Sequence, residues 1–272
     1  MTTAFVLSGG ASLGSVQVGM ALALEERGVV PDLIVGTSVG AINGGWLAGG
    51  GEVRDLADLW RSLHRRDLFP TRPLLGLRAF LGRSDHFVPD TALRRTLRRH
   101  LPYTRIEDAA IPLIVVAADA IGGHEVLIDR GSAVDAIVAS SSLPAVFRPA
   151  EFEGRHLIDG AVVNNTPITV AIEAGATEVW VLSTSYSNHL AELPANALAA
   201  ALHAVGLMVQ RRLVLEVAAR RYTVPVYFIP PPANMAISPI DFSHSSELIA
   251  EAASGTRRWL DAGRPHTNLL SE

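Results

Sequence analysis

The spacing of apolar residues divides the chain into alternating strands and helices. Residues 3–8, TAFVLS, form an apolar run of strand length that enters a glycine-rich turn at Gly9–Gly14. Val16–Arg27 then places Val16, Met20, Ala23 and Leu24 at helical spacing and closes at Gly28, a residue suited to the position after a helix end. Pro31 and Asp32 lead into a second apolar run, LIVGT, and Ala41–Ala48 reads as a helix of small residues. The order strand, helix, strand, helix over residues 3–48 predicts parallel pairing through a right-handed crossover.

Residues 52–106 are mostly helical in pattern and hold the apolar, proline-punctuated stretch LFPTRPLLGLRAFLG at 68–82. Buried strands are predicted at PLIVVAAD (112–119) and EVWVLSTS (178–185), with shorter ones at EVLID (125–129), HLIDG (156–160) and PVYFIP. Helices are predicted at Val134–Ser140, Thr166–Ala174, residues 195–221 and Ser246–Ala262. The chain shows no repeat, linker or low-complexity segment. The pattern predicts one α/β domain over residues 1–272, with an arginine-rich helical cap or flap at about 52–106.

Composition narrows the chemistry. At 272 residues and 49% hydrophobic content, a core can be buried without staples. There is no cysteine, which excludes disulfides, thiolate metal sites and Cys nucleophiles. All 23 basic residues are arginine, so a Schiff-base lysine, a P-loop lysine and a Ser–Lys dyad are excluded as well. A net charge of −4 argues against nucleic-acid binding. The N-terminus has no basic region before its apolar stretch, unlike a secretory signal. The longest apolar stretch, Ala197–Val209, falls short of the roughly 20 residues that span a bilayer. The expectation is a cytoplasmic protein.

Charge is uneven. Between Val53 and Ile106, twelve arginines stand against five aspartates, a balance of +7. That segment would attract anionic headgroups, so peripheral contact with an anionic membrane is one reading. The plainer reading is a helical flap whose apolar residues pack on the core and whose arginines are solvated.

Gly36-Thr37-Ser38-Val39-Gly40 matches G-x-S-x-G between a predicted strand and a predicted helix. A serine forced onto so sharp a turn needs small residues, Gly36 and Gly40, two places before and after it. The following helix aims its N-terminal N–H groups at the serine, where oxyanion charge would develop. The usual Ser–Asp–His fold places this elbow after several strands, whereas here one strand precedes it, so a different serine hydrolase is required.

The loop Ser8-Gly9-Gly10-Ala11-Ser12-Leu13-Gly14 gathers N–H groups at a helix start, which makes an anion site. A nucleotide reading fails: no lysine follows the glycines, and Asp32 precedes the second strand instead of ending it. An oxyanion reading survives, because two adjacent parallel strands would set the Gly9–Ala11 N–H groups beside Ser38. Ile158-Asp159-Gly160-Ala161 delivers an aspartate from a short strand to a glycine turn at Gly160. By residue chemistry alone, Asp159 is better read as a turn or cap residue before Gly160 than as a catalytic group.

The segments LSGGASLGSVQVG, GTSVGAING and SSSLPAVFRPAEFEGRHLIDGAVVNNTP follow one another in that order. Together they resemble the patatin-like phospholipase family over about residues 4–185, and the tail DFSHSSELI is similar too. The resemblance implies a three-layer α/β/α fold with a mostly parallel central sheet. It implies a Ser–Asp dyad without histidine, with Ser38 as nucleophile and Asp159 as general base and proton acceptor. It makes the N–H groups of Gly9, Gly10 and Ala11 the oxyanion hole. It further implies hydrolysis of lipid acyl esters, a lipid partner, and neither cofactor nor metal. An aspartate of ordinary pKa, near 3.9, is a poor base at neutral pH, and a dry cleft would raise that value.

The loop departs from the family pattern G-G-G-x-[RK]-G at Ala11 and Leu13. Alanine offers its N–H there provided its φ is negative, and the missing basic residue removes a positive charge. These departures keep two alternatives open: a catalytically weak lipid-binding or regulatory protein, and an acyltransferase. The nine histidines show no metal-ligand spacing. His156 alternates onto the strand face opposite Asp159. Asn164 and Asn165 read as turn residues after Asp159. The helix at 195–221 reads as a cover for the core or for a partner subunit. Oligomeric state and the natural lipid are not encoded in any recognisable motif.

Overall fold

A computed structural model describes residues 1–68, 88–144, 146–184, 197–219, 222–232, 237 and 241–264. The chain opens with β1 (Thr3–Leu7), α1 (Gly14–Glu25), β2 (Leu33–Thr37) and α2 (Val39–Ala48). The helices α3 (Val53–Ser62), α4 (Arg65–Leu68) and α5 (Thr91–His100) follow. Next come β3 (Leu113–Asp119), β4 (Glu125–Ile128), α6 (Ala133–Ser140), β5 (Ala150–Phe152) and β6 (Arg155–Asp159). The chain continues through α7 (Ile168–Glu173), β7 (Glu178–Leu182), α8 (Ala197–Ala219), β8 (Val226–Phe228) and α9 (Ser245–Asp261).

The strands form one sheet in the order β5-β6-β3-β2-β1-β7-β8, with β4 also paired to β3. From β3 to β8 the neighbours are parallel, and β4 and β6 run antiparallel to β3. The expected pairing of β1 with β2 is present, Leu7 opposite Gly36. The three-residue β5 has no counterpart in the sequence pattern, because it is too short to show alternation.

Both faces of the sheet are covered. Phe5, Leu7 and Ile34 face one apolar cluster with α1, α3 and α9, where Val16, Met20, Trp60 and Leu248 are buried. Ala4, Val6, Leu33 and Val35 face the other, closed by Ile168 and Val170 of α7 and Leu213 of α8. This is the three-layer α/β/α arrangement. It explains why the central strands read as continuous apolar runs, since strands covered on both faces have no solvent side.

In the arginine-rich segment, Leu56, Ala57 and Trp60 of α3 and Leu93 and Leu97 of α5 are in the core. Arg95, Arg98 and Arg99 are exposed, and Arg94 pairs with Asp90 and Asp135. This is the packing expected of helices with one apolar face. Most of the apolar stretch 68–82 lies outside the described residues, Leu68 excepted.

Register on β3 brings two distant segments together. Thr37, the last residue of β2, pairs with Val116, and Asp159, the last residue of β6, pairs with the next residue, Ala117. Gly160 lies against the junction: a Cβ there would stand 2.2 Å from the Val116 carbonyl oxygen and 3.1 Å from the Thr37 methyl. Only glycine fits.

Candidate active site

Ser38 occupies the turn between β2 and α2 with φ 56° and ψ −123°. That conformation is costly for a residue with a Cβ, on the order of 1–3 kcal/mol, and is held by its surroundings. A Cβ on Gly36 would come within 2.5 Å of the Gly40 carbonyl oxygen, and one on Gly40 within 2.1 Å of Leu7 O. The Ser38 N–H donates to Ser140 Oγ at 2.8 Å, and Ser140 Oγ donates to Val116 O at 2.6 Å. The strained residue is thereby tied to β3 through α6.

The Ser38 hydroxyl donates to Asp159 Oδ2 at 2.7 Å. The other carboxylate oxygen accepts the Ala161 N–H at 2.8 Å, and the Asp159 N–H donates to Ser142 O at 2.9 Å. Asp159 is 2% exposed. Burial pushes its carboxyl up to about 6, against the opposing pull of the Ser38 and Ala161 hydrogen bonds. Among the described residues, no histidine lines the cavity at Ser38, and no cluster of His, Asp or Glu could hold a metal ion. His156 is exposed on β6.

The glycine-rich loop lies beside Ser38. The Gly9 N–H donates to Asn165 O at 3.3 Å. Among the described residues, the N–H groups of Gly10 and Ala11 meet no acceptor, so the loop's available donors are those two and not all three. Ala11 has φ 51°, so the negative φ set as the condition for its N–H is absent, yet that N–H still meets no acceptor among the described residues and stays available. A left-handed alanine costs about 1–2 kcal/mol, which a glycine would not incur. Thr184, after β7, seats the loop: its hydroxyl donates to Gly9 O at 2.7 Å, and its N–H donates to Ser8 Oγ at 3.0 Å. Gln17 secures Ser8 O from α1 at 2.7 Å. A Cβ on Gly10 would stand 2.3 Å from Thr184 Oγ1.

Ser38, Asp159, Gly10 and Ala11 line a cavity of about 230 Å³ whose remaining wall is largely apolar. Ile42, Leu68 and Leu93 close one end and also line a second void of about 30 Å³ that reaches Trp46, Leu97 and His100. On the other side α8 contributes Gly206, Val209 and Leu213. The sequence pattern of α8 pointed to a cover and not to a cavity wall. Ser140 and Thr184 were also missed; three consecutive serines and a strand-end threonine carry no signal that singles them out.

The turn asparagines separate in role. Asn164 is fixed, its carbonyl accepting from Thr37 Oγ1 at 2.9 Å and its amide donating to Glu125 at 2.7 Å. The Asn165 side chain makes no hydrogen bond among the described residues and lines the cavity.

Residues 5–172 match the model of the family described as patatin-like phospholipase. The chain is 29% identical over 193 residues to the lysophospholipase NTE1 of Mycosarcoma maydis, covering 67% of this chain and 10% of that protein. It is 29% identical over 199 residues to an uncharacterized NTE family protein of Mycobacterium tuberculosis, covering 70% of this chain and 53% of that one. The chain thus spans about half or less of the length of these relatives. The fold is similar to human GIVD cytosolic phospholipase A2, with a TM-score of 0.51 at 12% identity, over 96% of this chain and 58% of that one.

Proposed function

The chain belongs to the patatin-like phospholipase family, and from that premise we propose that it is a lipid acyl hydrolase working through Ser38 and Asp159. The observation that carries the reading is the 2.7 Å hydrogen bond from Ser38 Oγ to a buried carboxylate at the wall of an apolar cavity.

In this mechanism the Ser38 oxygen attacks the ester carbonyl carbon and its proton passes to Asp159. The carbonyl oxygen becomes an oxyanion facing the Gly10 and Ala11 N–H groups, each such donor being worth about a hundredfold or more in rate. Collapse breaks the ester bond, and the leaving alcohol takes the proton from Asp159. Water then gives a proton to Asp159 and attacks the acyl-enzyme. The second collapse releases the fatty acid and returns the proton to Ser38. A carboxyl raised to about 6 is a better proton acceptor than an ordinary aspartate and remains ionised at neutral pH.

Peripheral contact with anionic membranes belongs to the same reading, supported by the exposed Arg95, Arg98 and Arg99 of α5. Among the described residues, no helix is long and apolar enough to cross a membrane.

A fluorophosphonate probe tests the proposal. The expected result is covalent labelling of the wild type at Ser38, none of Ser38→Ala, and turnover of a p-nitrophenyl acyl ester that both Ser38→Ala and Asp159→Ala lose. A wild type that takes no label would favour a lipid-binding protein, the reading that the left-handed Ala11 supports. Product analysis with an added acceptor alcohol separates hydrolysis from acyl transfer.

A further inference from the structure

We propose that Asn43 is a positioning residue for the oxyanion donors. Its carboxamide, oriented by the indole N–H of Trp60, clamps both ends of the glycine-rich loop and so fixes the Gly10 and Ala11 N–H groups relative to Ser38. The inference rests on the hydrolase reading above and names the device that sets its geometry.

A relay of buried side chains runs behind the loop. Trp60 of α3 donates its indole N–H to Asn43 Oδ1 at 2.8 Å. Asn43 of α2 donates to Gly14 O, where the loop ends, and to Gln17 Oε1, both at 2.9 Å. Gln17 of α1 donates to Ser8 O, where the loop begins, at 2.7 Å and to Leu182 O of β7 at 3.1 Å. Trp60, Asn43 and Gln17 are all buried. The chemistry gives this relay one direction. An indole N–H only donates and a backbone carbonyl only accepts, so both amides between them are fixed in orientation. Both amide protons of Asn43 and both of Gln17 are used.

Every carbonyl at which the relay ends belongs to the loop or to the strand that seats it. The helix α2 begins directly after Ser38, so Asn43 ties the helix of the nucleophile to the loop of the donors. Pairing of the indole is not general in this chain: among the described residues, the N–H groups of Trp46 and Trp180 are buried without a partner. Apolar side chains of the same shape could fill this layer at little cost in stability, whereas a fully bonded polar relay specifies one arrangement. Close packing reinforces it. A Cβ on Gly14 would stand 2.3 Å from Val39 Cγ2 and 2.9 Å from Trp60 Cζ2. The Trp60 ring is stacked on Phe242, with centroids 6.0 Å apart. Through Trp60, the arginine-rich segment contributes to the oxyanion geometry as well as to the core.

The test compares variants in turnover of a p-nitrophenyl acyl ester. Trp60→Phe deletes one N–H and keeps a ring against Phe242. It is expected to lower kcat about tenfold with KM little changed, and Asn43→Leu about a hundredfold, because misplaced donors weaken the transition state and not substrate binding. Trp180→Phe, the same change at an unpaired indole, should keep the wild-type kcat. Trp60→Phe added to Asn43→Leu should cost no further activity, since the indole acts through the carboxamide. A network that serves stability alone would lower the urea midpoint of Trp60→Phe and leave the kcat of the folded protein unchanged, which overturns the proposal. Losses in kcat that simply add in the double variant overturn it too. Hydrogen–deuterium exchange at the bonded N–H groups of Ser8, Gly9 and Leu13 reads the clamp without turnover. Exchange there should be faster in Trp60→Phe than in the wild type. Equal exchange overturns the clamp, whereas a wild type that shows the clamp but takes no fluorophosphonate label at Ser38 overturns the hydrolase reading and, with it, the role assigned to Asn43.

Discussion

Ser140 holds Ser38 from behind. Its hydroxyl accepts the Ser38 N–H at 2.8 Å and donates a hydrogen bond to Val116 O at 2.6 Å, so one side chain fixes the strained turn to the central strand β3. Ser140→Ala removes a donor and an acceptor from a fully buried place, at a cost of about 1–3 kcal/mol. The expected kinetic effect is a fall in kcat of about tenfold or more with little change in KM, because a displaced nucleophile weakens the transition state. Ser141→Ala is the control. Its hydroxyl is buried without a partner among the described residues, so its loss should be neutral or stabilising in urea titrations.

The Asp159 carboxyl, raised from 3.8 to about 6, sets two pH dependences of opposite sense. The native state holds this proton more tightly than the unfolded chain. Its contribution to stability is therefore complete below 3.8 and is lost as pH rises through about 6. The difference is on the order of 3 kcal/mol. Urea titrations across that range should show it as the wild-type curve minus the curve of Asp159→Asn, which has no carboxyl there. Activity should run the other way. Asp159 accepts the proton only when ionised, so kcat/KM should rise with pH through an apparent pKa of about 6.

The glycine-rich loop should respond oppositely at adjacent positions. Gly10→Ala would drive a Cβ to 2.3 Å from Thr184 Oγ1, forcing the loop from its seat. A loss of about a hundredfold in kcat is expected, the worth of a displaced oxyanion donor. Ala11→Gly relieves the φ of 51° and should stabilise the protein by about 1 kcal/mol, read as a raised Tm with activity retained.

Acyl-chain length should be set by Ile42, Leu68 and Leu93, which separate the main cavity from the void toward Trp46 and His100. Leu93→Ala joins the two spaces. In a series of p-nitrophenyl esters, the optimum should shift to longer chains, by roughly fourfold in kcat/KM per added methylene that finds a dry wall, or ~0.8 kcal/mol. The same change should lower stability by about 2–5 kcal/mol.

What could be read from the sequence was what depends on local pattern. Apolar runs located β1, β2, β3 and β7, and the spacing of Gly36 and Gly40 around Ser38 marked a turn that excludes side chains. Asp159 was legible only together with its neighbours, because an aspartate before a glycine is common in turns. The rest depends on register and helix rotation, which periodicity does not encode. Nothing in SSSLP distinguishes Ser140, whose hydroxyl bonds Ser38, from Ser141, whose hydroxyl meets no partner among the described residues. Nothing in NNT separates the anchored Asn164 from the unengaged Asn165. The sign of φ at Ala11 is likewise a property of the closed loop, not of alanine.

The pairing of Thr37 with Val116 and of Asp159 with Ala117 places the two halves of the dyad on either side of a change in strand direction. Ser38 arrives through parallel pairing and Asp159 through antiparallel pairing, from positions 121 residues apart. Loop closure over such a separation is slow, and helices form before it. Ester turnover during refolding should therefore lag behind the recovery of helical circular dichroism, which makes the dyad a clock for the last strand to join.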